Sequence, residues 1–517
     1  GIDLMSMQQI MFASLASGGG GFIIEGSGLF DGSTGFLSRT PSSAGNRQIW
    51  TFSTIIKVPQ LASGQMELLN TRVADANLMS SLRINSTGEL MYFERDASAS
   101  VKCNVQTTAK FRDPAAFMHV QFSVDTTDAT ASDRVKIYVN GVQMALTETT
   151  TMALNYSTNV NTTVNHNIGV EGGGSADYNG YMARAVMIDG QALAPTSFGE
   201  LTNDGFWSIS DVSGLDFGDN GFLLTGQNVS TGTDSSGNSN NFSKTGSIIS
   251  TSDSPTNDAD NGYSNGTTFS PLEPDAGTLS NGNLTGTTQF FKSDMTIPKT
   301  GKWYWEYTCD AGTSASSVYG IADSTGNSSG TSQCRIIRIQ NGEKYSPDVG
   351  AWQAYGTSWT AGDIIGFAVD MDNGAIYVSK NGTYYNSGDP TSGASKTGAM
   401  FTDLLTATTA SGWYAAAYAG DGSNIVTANF GISTFNTAAP TDYLALLPVN
   451  ITPDVINYED EYYIEAGISH SNGSTTAVTL PKSVSGGAMA RIKRTDSSAG
   501  TSDWLCFDTI RGTNKAV

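Results

Sequence analysis

The chain has 517 residues, of which 38% are hydrophobic, 10% aromatic and only 15% charged, with 58 glycines and a formal net charge of −21. So acidic a surface repels phosphate and anionic lipid, which argues against nucleic acid and membrane insertion, and the aromatic content argues against disorder. Abundant Gly, Ser, Thr and Asn point to short strands joined by polar turns, and the length suits about three domains at roughly 150 residues each.

Cys103, Cys309, Cys334 and Cys506 are too sparse for a disulfide framework and lack zinc spacing. Reduced thiols are expected, with Cys309 and Cys334 the pair to check for a bridge. No apolar run approaches the ~20 residues of a membrane span. No positive charge precedes Arg39, so a signal peptide is not expected. The opening on Gly1 and the abrupt stop at Val517 suggest a piece of a longer polypeptide.

In chain order, residues 1–21 read as a short helix and a glycine tether. Leu4, Met7, Ile10, Met11 and Leu15 fall on one helical face ahead of Gly18 to Gly21. That face either packs on its own domain or docks into another protein, for which a Met-rich surface is well suited. Residues 22–202 are strand after strand. Val120, Phe122 and Val124 alternate with polar residues, as do Val135, Ile137 and Val139 before a turn at Asn140-Gly141. Residues 203–272 are richer in Gly, Ser, Asn and Asp and read as an ordered linker with a few strand pairings.

Residues 273–436 contain the clearest hairpin, GDIIGFAVDMDNGAIYVSKNG from Gly362 to Gly382. Phe367, Val369 and Met371 alternate with Ala368, Asp370 and Asp372, which predicts a strand with one buried face. Asp372-Asn373-Gly374 suits the turn. Residues 437–457 read as a Pro-containing linker and 458–517 as a partial third β-rich module. The expected fold class is all-β: tandem antiparallel sandwiches with a short N-terminal helix.

Three resemblances accompany this reading. GLFDGSTGFLSRTP, WTFSTIIKV, HVQFSVD, VKIYVNGV and YNGYMARAVMIDGQAL resemble a laminin-G-like, concanavalin-A-type jelly roll. GKWYWEY, VYGIADS, the Gly362–Gly382 hairpin, WYAAAYAGDG and NIVTANFG resemble a SPRY domain. The succession of modules is similar to virion structural or fibre proteins of tailed phages, particularly marine ones. It implies a non-catalytic appendage (fibre, spike or decoration), assembled in the host cytoplasm and carried on the extracellular particle. It further implies contact with other virion proteins through the N-terminal segment, binding of host-surface glycan, and a homotrimer.

The chemistry-bearing motifs are few. Concanavalin-like glucanases carry paired carboxylates spaced Glu-x-Asp-x-x-Glu, and residues 22–202 hold no such run. Tyr458-Glu459-Asp460-Glu461-Tyr462 reads as a solvated acidic segment. Gly326-Asn327-Ser328-Ser329-Gly330 matches a nucleophile elbow by letter, but its flanks are polar loop. His119, His166 and His470 lack metal-ligand neighbours, so no catalytic residue and no metal ligand is assigned. Asp258-Ala259-Asp260-Asn261-Gly262 and Asp370-Met371-Asp372-Asn373-Gly374 begin like calcium loops but lack the glutamate at the twelfth position. No cofactor is expected, and structural calcium has no supporting motif.

Recognition remains. Tyr345, Trp352 and Tyr355, in the connection before the hairpin, are candidates for stacking on sugar rings, and Tyr384 and Tyr385 follow it. Trp303, Trp305 and Trp359 are expected in the core. The alternatives are a secreted polysaccharide hydrolase with accessory modules, or a purely structural virion protein.

Overall fold

The computed structural model describes residues 22–59, 64–72, 77–172, 177–202, 206–258, 262–272, 277–311, 317–325, 333–407, 412–420, 424–451, 489–492 and 505–508. The expected helix with Leu4, Met7, Ile10, Met11 and Leu15 lies outside them, as do the Gly326–Gly330 and Tyr458–Tyr462 motifs. Residues up to Ile451 form one unit and those from Thr452 another. In the second, Met489–Ile492 and Leu505–Asp508 pair antiparallel. The first is all-β, and among its described residues no helical turn is longer than the five residues of Gly226–Ser230.

The first sandwich consists of two eight-stranded sheets. The first, here the seam sheet, runs in the order Val142–Gln143, Val135–Val139, Met118–Asp125, Ile49–Lys57, Asn179–Asp189, Ser27–Asp31 and Ile248–Thr251, with Phe222–Thr225 also on Asn179–Asp189. The second, the far sheet, runs Leu146–Thr150, Val101–Thr107, Leu90–Arg95, Met79–Ile84, Met66–Asn70, His166–Ile168, Phe36–Arg39 and Ser243–Thr245. Alternation aims one side of each strand inward. Trp50, Phe52, Val120 and Phe122 from the seam sheet thus meet Leu69, Leu82, Tyr92 and Val105 from the far sheet in one core.

The second sandwich packs an eight-stranded sheet on a five-stranded one. Lys302–Ala311, Ile364–Asp370 and Ala375–Lys380 are neighbours in the larger sheet, with Phe367 opposite both Trp305 and Val378. Trp303, Trp305 and Trp359 are buried, as expected, and Trp305 stacks on Phe367 at 5.6 Å.

Two expectations are corrected. Residues 203–272 are not a linker between domains: Phe222–Thr225 and Ile248–Thr251 complete the seam sheet and Ser243–Thr245 closes the far sheet. The hairpin at 362–382 is buried on both faces, because Tyr304, Tyr377 and Tyr443 cluster with Ala368 and Ala375 over the side expected to meet solvent. Cys309 and Cys334 are separate buried thiols, in keeping with the expectation of reduced cysteines, one in the main core and one in a cluster on the five-stranded sheet.

The two sandwiches meet along a seam lined by residues from 252–258, 262–272 and 277–283. Tyr181 donates its hydroxyl to the Gly282 carbonyl (3.2 Å), Asn283 donates to Pro59 O (2.9 Å) and the Ser252 amide to Ile432 O (3.2 Å). These bonds tie the connecting segment to both bodies.

Candidate functional site

The five candidate aromatics separate into three settings. Tyr345 and Trp352 form a tilted pair at 5.1 Å on the five-stranded sheet, packed against Phe290, Val318 and Ile336. Arg338 lies 3.8 Å over the Trp352 ring, so the indole already has a cationic partner. Tyr355 and Tyr385 meet edge to face at 6.1 Å and hold the connection in place. The Tyr355 hydroxyl donates to Gly398 O (2.9 Å), while the Tyr385 hydroxyl accepts from Trp359 Nε1 (2.7 Å). Tyr384 joins the cluster of Tyr304 and Tyr377. Burial raises the Tyr355 and Tyr384 hydroxyls above the ordinary tyrosine range. All five rings are half-buried, so what distinguishes Tyr355 and Tyr385 is that their hydroxyls are taken up in hydrogen bonds within the chain.

His119 and His166 are core residues, and His470 lies outside the described residues. His119 stacks on Trp207 at 5.6 Å and shares a hydrogen bond with Ser53 Oγ (2.8 Å); burial pulls its pKa down to about 3. His166 accepts the Asn161 amide at Nε2 (3.0 Å) and is pulled down to about 4, again chiefly by burial. Among the described residues no group of His, Cys, Asp and Glu could hold a metal ion. Asp370 is a turn residue whose carboxylate accepts the Asn373 amide and side chain (2.9 and 2.8 Å), and Asp372 accepts Gly301 N (2.7 Å).

A second surface was not found from the sequence: the outer side of the far sheet. Strand register places Ser243 opposite Ser38, Ser38 opposite Asn167, Asn167 opposite Asn70, and Asn70 opposite Ser81. The row continues through Phe93 and Asn104 to Thr150. Directly paired residues share a face, so these eight side chains cross the whole sheet in one line. At ~4.8 Å per strand the line is roughly 34 Å long. A shorter row beside it runs Glu67, Arg83, Met91, Gln106.

The middle of this face is tightly organised. Ser81 donates to both Glu67 oxygens at 2.8 Å, and Arg83 reaches the same carboxylate at 3.7 Å. Burial nevertheless pushes the Glu67 carboxyl up to about 7, outweighing Arg83 and Ser81, which favour the anion. Arg83 also lies 5.4 Å from the Phe93 ring, and its Nε has no partner among the described residues.

At the Ser243 end the row opens into a polar pocket of about 420 Å³. Ser38, Arg39, Thr40 and Ser42 line one part, and Asn165, Asn240, Asn241 and Ser243 the rest. Hydroxyls and amides both donate and accept, so the pocket and the accessible ends of the row suit a ligand dense in hydroxyl groups. Nothing in the arrangement pairs two carboxylates for acid–base chemistry.

No protein-family model matches the sequence, and no curated protein matches it. In structure the chain is similar to a candidate carbohydrate-binding protein from Bacteroides ovatus (16% identity, 44% of this chain, TM-score 0.29) and spans only 60% of that protein's length. It is also similar to domains LG4-5 of the mouse laminin alpha1 chain (9% identity, 80% of this chain and 84% of that one, TM-score 0.27). A third similarity is to the SPRY domain of human HERC1 (17% identity, 31% of this chain and 96% of that one, TM-score 0.24). At TM-scores of 0.29 and below, nothing about this chain's ligand follows from them.

Proposed function

We propose that this chain is a non-catalytic glycan-binding protein, and that it serves as an appendage of a tailed-phage particle. The observation that carries the glycan reading is the row from Ser243 to Thr150. A sheet face that meets water is polar. Here Asn70, Ser81 and Asn167 in the middle are almost fully buried and support the face, while Ser38, Phe93, Asn104, Thr150 and Ser243 remain accessible to a ligand. Phe93 supplies one ring within the row for an apolar sugar face. Trp352 and Tyr345 are a second contact in this reading, on the other sandwich. The appendage role is supported by the resemblance in module order, and the homotrimer and the N-terminal docking to other virion proteins belong to the same reading.

The test is a glycan array followed by titration calorimetry with the full chain. A Phe93→Ala/Asn104→Ala variant is expected to weaken binding by about tenfold or more, a loss of ~1.4 kcal/mol. Binding to no glycan, or equal binding by the variant, sinks the glycan reading. For the appendage, loss of residues 1–21 is expected to abolish incorporation into particles while leaving glycan binding intact, and sedimentation is expected to report a trimer.

A further inference from the structure

We infer that the pocket beside Arg39 selects a sugar bearing a carboxylate; this rests on the glycan reading above. Arg39 is the charged residue of a lining otherwise made of serine, threonine and asparagine. In a chain of net charge −21, a carboxylate-free pocket built around an arginine is a local exception.

The arginine is held directly by neutral oxygens. Its Nη1 donates to the Asn220 carbonyl (3.3 Å) and its Nη2 to Asn240 Oδ1, and no carboxylate pairs with it among the described residues. Asn240 is itself pinned, donating to Asp219 O (2.9 Å) and Gly221 O (2.7 Å), so its Oδ1 faces the guanidinium. Asp234 attracts Arg39 from nearby. Yet its oxygens accept the amides of Leu223, Ser236 and Asn240 at 2.7–2.9 Å and the Ser236 hydroxyl at 2.8 Å. A guanidinium has five N–H donors, so three of them remain for a ligand. Its planar fork matches a carboxylate in two parallel bonds, which a point charge does not offer.

The flanking groups fit the rest of such a sugar. Thr40 Oγ1 contacts Asn165 Oδ1 at 3.4 Å, and Asn165 in turn donates to Asn167 of the row (2.8 Å). The pocket is therefore tied to the near end of the polar line at Ser38 and Asn167. The volume of about 420 Å³ lies in the usual range for small-molecule sites, ~300–1,000 Å³. The repulsive net charge does not defeat this local attraction, because at physiological salt it is screened beyond about 8 Å.

The experiment prints uronate- and sialate-containing oligosaccharides beside their methyl esters, which keep the shape and remove the charge. The full-length chain is expected to bind each acid about tenfold or more tightly than its ester. Arg39→Gln is expected to erase that preference while keeping the affinity for the ester, and Arg39→Lys to restore only part of it. Equal affinity of the wild-type chain for acid and ester overturns the inference and leaves the glycan reading standing. Binding to no saccharide at all overturns both. The wild-type comparison needs no variant, and a melting curve of Arg39→Gln separates lost recognition from lost folding.

Discussion

Lys57 and Asp253 form an ion pair at the seam of the two sandwiches, with side chains only 1% and 0% exposed. The ammonium also donates to Asn265 Oδ1 (3.0 Å) and lies 4.6 Å from the Tyr181 ring and 5.1 Å from that of Phe117. Such a pair contributes little net stability over an apolar replacement, yet breaking it strands a charge. Asp253→Ala is therefore expected to cost about 3–5 kcal/mol in urea unfolding, and Lys57→Met/Asp253→Leu much less. A double variant as unstable as the single one would show that the seam depends on the pair itself.

Glu94 is a buried carboxyl in the first core. It accepts the Asn159 amide at 3.0 Å and the Tyr92 hydroxyl at 2.9 Å, and also bonds Ser80. Burial pushes its pKa from 4.5 up to about 8. A raised folded value means that the folded state holds the proton more tightly. Its contribution is complete below about pH 4.5 and is lost as pH climbs through 8. Glu94→Gln keeps the neutral shape, so it is expected to remove a decline on the order of a few kcal/mol between those limits. Denaturation midpoints measured across that range check it, and an unchanged slope refutes it.

His166 acts in the opposite sense. Its folded pKa of about 4 lies below the ordinary 6.5, so its stabilisation is present above 6.5 and is lost as pH falls toward 4. His166→Gln is expected to flatten the acid limb of the same profile, a difference readable by thermal melting at pH 4.5 and 7.

Gly141 sits in the turn after Val135–Val139 with φ +78°, next to Asn140 at +47°. A Cβ there would stand 2.1 Å from the Trp207 ring, which stacks on His119. Gly141→Ala is expected to destabilise the first sandwich by more than about 1 kcal/mol, from the left-handed φ and the clash together. Normal stability would mean that Trp207 can move aside without penalty.

Arg338 and Trp352 are expected to be coupled by about 0.5–1 kcal/mol in a double-mutant cycle of alanine substitutions. Additive effects would leave the indole free for a ligand on both faces.

Much of the second sandwich was legible in advance. The Phe367–Val369 alternation and the Asp372-Asn373-Gly374 turn produced the hairpin, since both signals are local. A few strand pairings were expected in residues 203–272, but the membership of 222–225, 243–245 and 248–251 in the first sandwich's sheets was not, because they are only three or four residues long. They sit in Gly-, Ser- and Asn-rich text, and pairing to existing sheets makes them strands more than propensity does. Tyr355 and Tyr385 read as free aromatics because hydrogen bonds to Gly398 and Trp359 leave no trace in the text.

The sequence by itself determined where strands alternate and where Asn-Gly or Asp-Asn-Gly turns them, because side-chain period and turn conformation depend on adjacent residues. The tertiary structure alone decided that Ser38, Asn70, Asn167 and Ser243 stand in one line and that Arg39 bonds Asn240 in the wall of a pocket. Register between strands far apart in the chain is set by the shared core, and shifting one strand by a single residue would turn its side chains to the opposite face.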